Sequence, residues 1–206
     1  MVIDKLQYIS QERGNESHLI AIEKVLKSGG KWIQLRVKDE PEETVLALAQ
    51  QAMLLCAEFG AKLIVNDYPT VALHSGAFGV HLGLDDMPVS EARAILGASR
   101  CIGGTANTFE DVLKRVREGV DYVGLGPYSF TTTKKNLSPV IGLEGYKDII
   151  DQLRRAKIEI PLIAIGGIEL QDIEPLLSVG VHGIAASGLL TRNDNLKEDF
   201  YVNYSR

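Results

Sequence analysis

The 206-residue chain predicts an α/β protein, a compact (β/α)8 barrel of the TIM type forming a single domain over residues 1–206. Three observations carry this. Eight short, β-rich apolar runs recur from end to end, at residues 6–10, 32–37, 62–66, 79–83, 101–105, 122–126, 161–166 and 183–187. Their starts are 26, 30, 17, 22, 21, 39 and 22 residues apart, which leaves room for a crossover helix in every interval, since a parallel connection needs about a dozen residues. The intervals carry apolar residues at helical spacing. An open doubly wound sheet fits less well, because it usually has fewer strands and a phosphate-binding glycine loop after the first one, and that loop is absent here.

In a barrel, functional side chains sit at the C-terminal ends of the strands and in the loops that follow. The second run ends Gln34-Leu35-Arg36-Val37-Lys38, and period-2 alternation sends Gln34, Arg36 and Lys38 to the side opposite the apolar helix layer, the interior. Two cations at the mouth are costly to desolvate unless an anion such as a di- or triphosphate meets them; pairing with barrel carboxylates is the plainer alternative. The helix over 42–58 follows, with Val45, Leu46, Leu48, Ala49, Ala52, Leu55 and Cys56 on one broad face and Pro41 where a first-turn proline fits. The third run ends Val65-Asn66-Asp67 and the fourth His81-Leu82-Gly83-Leu84-Asp85-Asp86. Asp67 and Asp86 offer a hard divalent cation oxygen ligands from adjacent loops, Mg²⁺ taking the rest of its shell from water and phosphate. Alternatively, Asp85 or Asp86 caps the helix near 88–96.

The fifth run ends Ile102-Gly103-Gly104-Thr105-Ala106-Asn107, two glycines that let a ligand approach the backbone followed by a hydroxyl and an amide; Thr105 or Asn107 could equally cap the helix over 108–118. The sixth ends Gly124-Leu125-Gly126-Pro127 and opens the longest loop, in which Thr131, Thr132, Thr133, Lys134 and Lys135 offer donors to an anion, or simply a solvated charged face. Helices over 144–156 and 170–178 flank the seventh run. The last two runs end Ala164-Ile165-Gly166-Gly167-Ile168 and Ala186-Ser187-Gly188, where backbone N–H groups freed by glycines form the recurrent phosphate cup of such barrels. Two anion sites facing one another across one cavity suggest two phosphorylated substrates, or a substrate and a leaving pyrophosphate.

Composition narrows the class. Hydrophobic content of 45% and charged content of 24% exclude disorder and disulfide scaffolds. The 22 Lys and Arg against 27 Asp and Glu give a net charge of −5, which argues against a nucleic-acid partner. Cys56 and Cys101 lack the spacing of a metal or redox pair and read as free and buried. No leader-like segment or membrane-length apolar run occurs, so a soluble cytoplasmic protein without a membrane partner is expected.

With these residues in order, the sequence resembles the thiamine-phosphate synthase (thiamine-phosphate pyrophosphorylase) family, on Gln34-Leu35-Arg36-Val37-Lys38, Asn66-Asp67, Gly79-Val80-His81-Leu82-Gly83 with Asp86, Gly126-Pro127 with Thr131-Thr132-Thr133-Lys134, and Ile165-Gly166-Gly167-Ile168. The first run, around Gln7-Tyr8-Ile9-Ser10, matches poorly. The resemblance implies a transferase that joins 4-amino-5-hydroxymethyl-2-methylpyrimidine diphosphate to 4-methyl-5-(2-hydroxyethyl)thiazole phosphate, giving thiamine phosphate and pyrophosphate by a dissociative, Mg²⁺-assisted route. It implies that Gln34, Arg36, Lys38, Asn66, Thr105 and Lys134 hold the diphosphate, with Arg36, Lys38, Thr105 and Lys134 acting in catalysis, and that Asp67 and Asp86 bind Mg²⁺. Thr131, Thr133, Gly167, Ser187 and Gly188 would hold the thiazole phosphate, with Thr132 and Gly166 in the same substrate-binding set, and a homodimer is implied. Thr105 stands where the family usually has Ser, Leu84 where it often has Gln and Gly188 where many members have Ser.

The related thiazole tautomerases share the barrel but place a His in the loop after the fifth strand, where this chain has Asn107, which cannot titrate as a general base. A non-catalytic phosphate-binding barrel is a third reading, and it has no need of Lys38, Asp67, Asp86 and Lys134 together. An epimerase or isomerase would need Asp67 and Asp86 as an acid–base pair without metal. His81 is the one histidine at a strand end and receives no role.

Overall fold

The computed structural model describes residues 1–12, 14–131, 138–192 and 200. Eight parallel strands close into a barrel in chain order: β1 (Leu6–Ile9), β2 (Trp32–Leu35), β3 (Lys62–Asn66), β4 (Gly79–Leu82), β5 (Cys101–Ala106), β6 (Tyr122–Leu125), β7 (Leu162–Ile165) and β8 (Gly183–Ala186), with β8 pairing back to β1. The helices are α1 (His18–Lys27), α2 (Glu42–Glu58), α3 (Pro69–His74), α4 (Val89–Leu96), α5 (Phe109–Glu118), α6 (Gly142–Arg155), α7 (Ile173–Val179) and α8 (Gly188–Arg192). The barrel is as expected, and β3 and α2 have the expected limits. Pro41 is the cap residue of α2 rather than part of its first turn. The helix expected over 170–178 is two pieces, a 3₁₀ turn at Leu170–Asp172 that leads into α7.

Alternation along each strand builds two apolar layers. Leu6 and Tyr8, Ile33 and Leu35, Leu63 and Val65, Val80 and Leu82 point outward and join the buried faces of the helices, such as Val45, Ala49, Ala52 and Cys56 of α2. The alternate residues point inward, where Ile9, Trp32, Ile64, Cys101, Tyr122, Ile163 and Ala185 form a separate cluster. Each large aliphatic side chain so buried stabilises the fold by about 1.5–3 kcal/mol. Trp32 and Tyr122 meet edge to face, with ring centroids 5.0 Å apart. The interior also carries a polar layer, with Gln7, Gln34, Asn66 and His81 of β1 to β4 buried there. Two apolar faces per strand explain why the strands read as continuous hydrophobic runs, and the polar inner layer marks the end at which they open.

Candidate active site

The C-terminal ends of the strands surround one cavity of about 800 Å³. Gln34, Arg36, Lys38, Asn66, Asp67, Asp86, Thr105, Thr131, Gly166, Gly167, Ser187 and Gly188 all line it, so the structure brings together every expected site residue that is described. Thr132, Thr133 and Lys134 lie outside the described residues, as does most of the segment beyond Arg192.

One half of the cavity is charged. β2 delivers Arg36 just past its last ladder residue; the Arg36 backbone N–H donates to Ser10 Oγ at 3.1 Å, and that hydroxyl also bonds His18 Nδ1 at 2.8 Å. Burial keeps His18 below its ordinary range and therefore neutral near pH 7. Burial also lowers the Arg36 guanidinium pKa, and Asp67 and Asp39 oppose that shift. Lys38 forms an ion pair with Asp67, so the plainer reading of the two cations holds for Lys38 alongside the functional one. Asp67 has a left-handed backbone, φ 68°, a conformation rare for a residue with a β-carbon, and its N–H donates to the His81 carbonyl at 2.9 Å. Burial first, and then the neighbouring Asp86 carboxyl within hydrogen-bonding reach, push the Asp67 carboxyl up to about 6, against the pull of Lys38. Asp86 Oδ2 accepts from the Gly83 N–H at 2.6 Å. The cap position of α4 is Pro88, so neither Asp85 nor Asp86 caps it. Two converging carboxylates that Lys38 only partly neutralises fit a divalent cation. Among the described residues no group of three or more His, Cys, Asp or Glu is arranged around one point, so such an ion would complete its shell with water and substrate oxygens.

The other half is built on glycine backbone. Gly166 and Gly167 hold φ of 92° and 67°, and a β-carbon at Gly167 would lie 2.4 Å from Ser129 Oγ. Ser129 ties the loop after β6 to the loop after β7, its N–H donating to the Gly166 carbonyl at 2.9 Å and its hydroxyl to the Gly167 carbonyl at 2.6 Å. Arg192 donates to both carboxylate oxygens of Glu169, at 2.8 and 3.0 Å. A β-carbon at Gly188 would lie 3.1 Å from Arg192 Nη1, the tip of a flexible side chain that also lines the cavity. Two buried polar atoms on the lining, Asn66 Nδ2 in the charged half and Ser187 Oγ in the glycine half, have no hydrogen-bond partner among the described residues. Buried donors are seldom left so, and each is placed to donate to whatever occupies the cavity.

Several supporting residues were not legible as site residues. Gln34 Nε2 donates to Gln7 Oε1 at 3.1 Å and Gln7 Nε2 to Tyr122 Oη at 3.3 Å; Tyr122 Oη lies 3.0 Å from His81 Nδ1, and His81 Nε2 3.0 Å from Thr105 Oγ1. Gly103 stands in register between His81 on β4 and Tyr122 on β6, and its missing side chain lets the two rings meet. The glycines of β5 are therefore not openings for a ligand: a β-carbon at Gly103 would lie 2.1 Å from Tyr122 Cζ, and one at Gly104 2.8 Å from Arg115 Cδ. Arg115, 3% exposed, donates from Nε to the Thr105 carbonyl at 3.0 Å and from Nη2 to the Gly83 carbonyl at 2.6 Å. Neither Thr105 nor Asn107 is a helix cap, because Thr108 caps α5 in a reciprocal pair with Asp111. Asn107 instead donates to the Gly126 carbonyl and accepts from Ser138 Oγ at 2.9 Å.

The comparisons with known proteins agree with this geometry. A family profile described as thiamine monophosphate synthase matches residues 6–190. The thiamine-phosphate synthase of Flavobacterium johnsoniae is 50% identical over 207 residues, covering 97% of this chain and 98% of the relative. That of Bacteroides thetaiotaomicron is 49% identical over 190 residues, covering 92% of this chain and 91% of the relative. The solved structure of a thiamine phosphate pyrophosphorylase from Pyrococcus furiosus superposes with a TM-score of 0.80 at 29% identity, covering 95% of this chain and 94% of that one.

Proposed function

We propose how this site works from one premise: the chain belongs to the thiamine monophosphate synthase family. It is an enzyme, a transferase with thiamine-phosphate synthase activity, which joins the pyrimidine diphosphate to the thiazole phosphate and releases pyrophosphate. The observation that best supports the assignment of its residues is the pair of unpartnered buried donors, Asn66 Nδ2 and Ser187 Oγ, one in each half of a single cavity. Two halves that each hold a buried donor without an acceptor among the described residues suit two anionic substrates.

In this reading Gln34, Arg36, Lys38, Asn66 and Thr105 receive the diphosphate, with Lys134 joining from the loop after β6. Gly166, Gly167, Ser187 and Gly188 receive the thiazole phosphate, with Thr131, Thr132 and Thr133 in the same substrate-binding set. Asp67 and Asp86 would hold Mg²⁺, which when bound neutralises charge on the diphosphate oxygens. The bond between the pyrimidine methylene carbon and the diphosphate oxygen breaks with its electron pair leaving on oxygen, and the thiazole nitrogen lone pair then forms the new carbon–nitrogen bond. Among the described residues no cysteine or histidine is set up as a nucleophile for this. The Cys56 and Cys101 thiols are pushed up to about 12 by burial, and both His81 ring nitrogens are already hydrogen-bonded. What remains is placement of two substrates and stabilisation of the leaving anion by Arg36, Lys38, Lys134 and hydroxyl donors, which suffices for a dissociative step. Asn107, where a tautomerase carries its base, is engaged at both ends of its amide and does not titrate.

The test is a coupled assay of pyrophosphate release and thiamine phosphate formation from the two substrates, with Mg²⁺ and with a chelator. Equimolar, Mg²⁺-dependent appearance of both products is expected. Absence of turnover while the thiazole phosphate still binds would move the reading to a tautomerase or a binding-only barrel.

A further inference from the structure

The inner polar layer contains a continuous file of hydrogen bonds that runs from Gln34 on β2, through Gln7 on β1 and Tyr122 on β6, to His81 on β4 and Thr105 on β5. Its two ends line the cavity, while Gln7 and Tyr122 are 1% or less exposed and lie outside it. The donors can be followed one by one. The Gln34 amide donates to the Gln7 oxygen, which leaves the Gln7 NH₂ to donate to the Tyr122 phenol oxygen. A phenol oxygen that accepts there keeps its own proton to donate, and the acceptor 3.0 Å away is His81 Nδ1. A neutral imidazole whose Nδ1 accepts carries its proton on Nε2, and Nε2 faces Thr105 Oγ1 at 3.0 Å. Thr105 Oγ1 accepts that hydrogen bond, which leaves its own hydroxyl hydrogen free to donate, and Thr105 lines the cavity.

We propose that Gln7, Tyr122 and His81 are positioning residues whose hydrogen-bond file fixes the Thr105 hydroxyl as a donor to the departing diphosphate. The inference rests on the placement of the diphosphate at Thr105 given above. The opposite polarity would take the His81 acceptor away from the Tyr122 hydroxyl proton, or turn both glutamine amides over, and it would set an oxygen lone pair of Thr105 against an anion. Gly103 is what allows the file to cross β5: it stands in register between His81 and Tyr122, and any β-carbon there would enter the Tyr122 ring. A hydroxyl aimed before the substrate arrives needs no reorientation as charge develops on the leaving oxygen, so its contribution belongs to the transition state.

Two measurements test this. The first is ¹⁵N NMR of histidine-labelled enzyme without substrate at pH 7, in which His81 should show a protonated Nε2 and an unprotonated Nδ1. A proton on Nδ1 would mean the reverse polarity and overturn the proposal. The second is kinetic. Thr105→Val should lower kcat about 100-fold with little change in KM for the diphosphate, the scale of losing one oriented donor to a developing anion. Thr105→Ser should restore most of it. Tyr122→Phe keeps the ring and removes the relay, and it should mix the two His81 tautomers and lower kcat about tenfold at unchanged KM. Should Tyr122→Phe fold poorly, Gln7→Met breaks the file one step earlier and should shift the tautomer ratio and kcat in the same direction. If Thr105→Val is as fast as wild type, the placement of the diphosphate at Thr105 fails and the proposal with it. If Thr105→Val is slow but neither relay variant changes the tautomer or kcat, the placement stands and the proposal alone is refuted.

Discussion

Arg115→Met tests the claim that the strand ends carrying the site are held from outside the barrel. The guanidinium is 3% exposed and reaches in from α5 to the carbonyls of Thr105 and Gly83, at 3.0 and 2.6 Å, with Glu118 at 2.8 Å as its carboxylate partner. Methionine fills much of the same space and donates nothing, so two carbonyls at the ends of β4 and β5 lose a charged donor. Hydrogen bonds to charged groups contribute about 1.5–3 kcal/mol each, and Glu118, partly exposed, recovers water instead. A loss of about 3 kcal/mol is therefore expected, and for a chain of this length that lowers Tm by about 6–12 °C. The consequence reaches the chemistry, because the Gly83 N–H holds Asp86 Oδ2 at 2.6 Å and Thr105 carries the hydroxyl discussed above. The assay is urea unfolding at constant m-value, with steady-state kinetics at a temperature where the variant remains folded. A smaller kcat in the folded variant is expected, with Arg115→Lys only partly restored because an ammonium lacks the fork that spans two carbonyls. A variant within about 1 kcal/mol of wild type would refute the stability argument. Full activity in a destabilised variant would refute the link to the site.

Acid sensitivity should trace in part to His81. Burial lowers its folded-state pKa to about 4, whereas the unfolded chain titrates near 6.5, so the unfolded state binds more protons between those values. The stability that neutral His81 contributes is complete above about pH 6.5 and is lost as pH falls toward 4, by up to about 3 kcal/mol. Asp67, raised to about 6, acts with the opposite sign over pH 4–6, so the measurement is the difference in pH dependence between wild type and His81→Gln; parallel curves would remove His81 from the account. Asp67→Ala and Asp86→Ala should each abolish Mg²⁺-dependent turnover, measured by pyrophosphate release, and Mg²⁺-dependent activity retained in both would end the metal assignment. Ser187→Ala removes a buried hydroxyl that has no partner among the described residues, so Tm should hold or rise while KM for the thiazole phosphate rises about tenfold, as expected for a lost hydrogen bond to a charged group; unchanged KM would take Ser187 out of the site.

What was legible in the sequence follows from how local each signal is. Strand β3 and helix α2 could be bounded because their apolar pattern ends abruptly at Asp67 and Gly60. Strand β2 was read too long, since its ladder stops where Leu35 pairs with Val65, although the alternation runs on through Lys38. Arg36, Lys38, Asp67 and Asp86 were legible as site residues because charges of both signs end adjacent apolar runs, and the barrel rule places those ends around one cavity. Gln7, Tyr122 and Arg115 were not. Gln7 and Tyr122 lie within strands, at positions that local pattern assigns to the core, and Arg115 sits in a helix whose charges read as its solvated face. Their importance depends on registers between strands 115 residues apart and on a guanidinium turned inward, which periodicity does not carry. Arg192 and Glu169 meet across 23 residues for the same reason.

A signal for the inner layer was nevertheless present, in the glycines. A closed barrel fixes the volume available to inward side chains, so each ring placed there requires a neighbour that gives up its own. Tyr122 occupies the space a β-carbon at Gly103 would need, and His81 crowds the corresponding space at Gly124 to 2.9 Å. Both glycines lie on strands at inward positions, where flexibility has no use, and neither has the positive φ that would demand glycine for its backbone. An inward glycine beside an inward aromatic or histidine on the adjacent strand therefore predicts side chains that reach across a strand to one another. In this chain that pattern locates the His81–Tyr122 bond at the floor of the cavity, and with it the support for Thr105, a residue whose chemistry the strand-end motif alone could name but not explain.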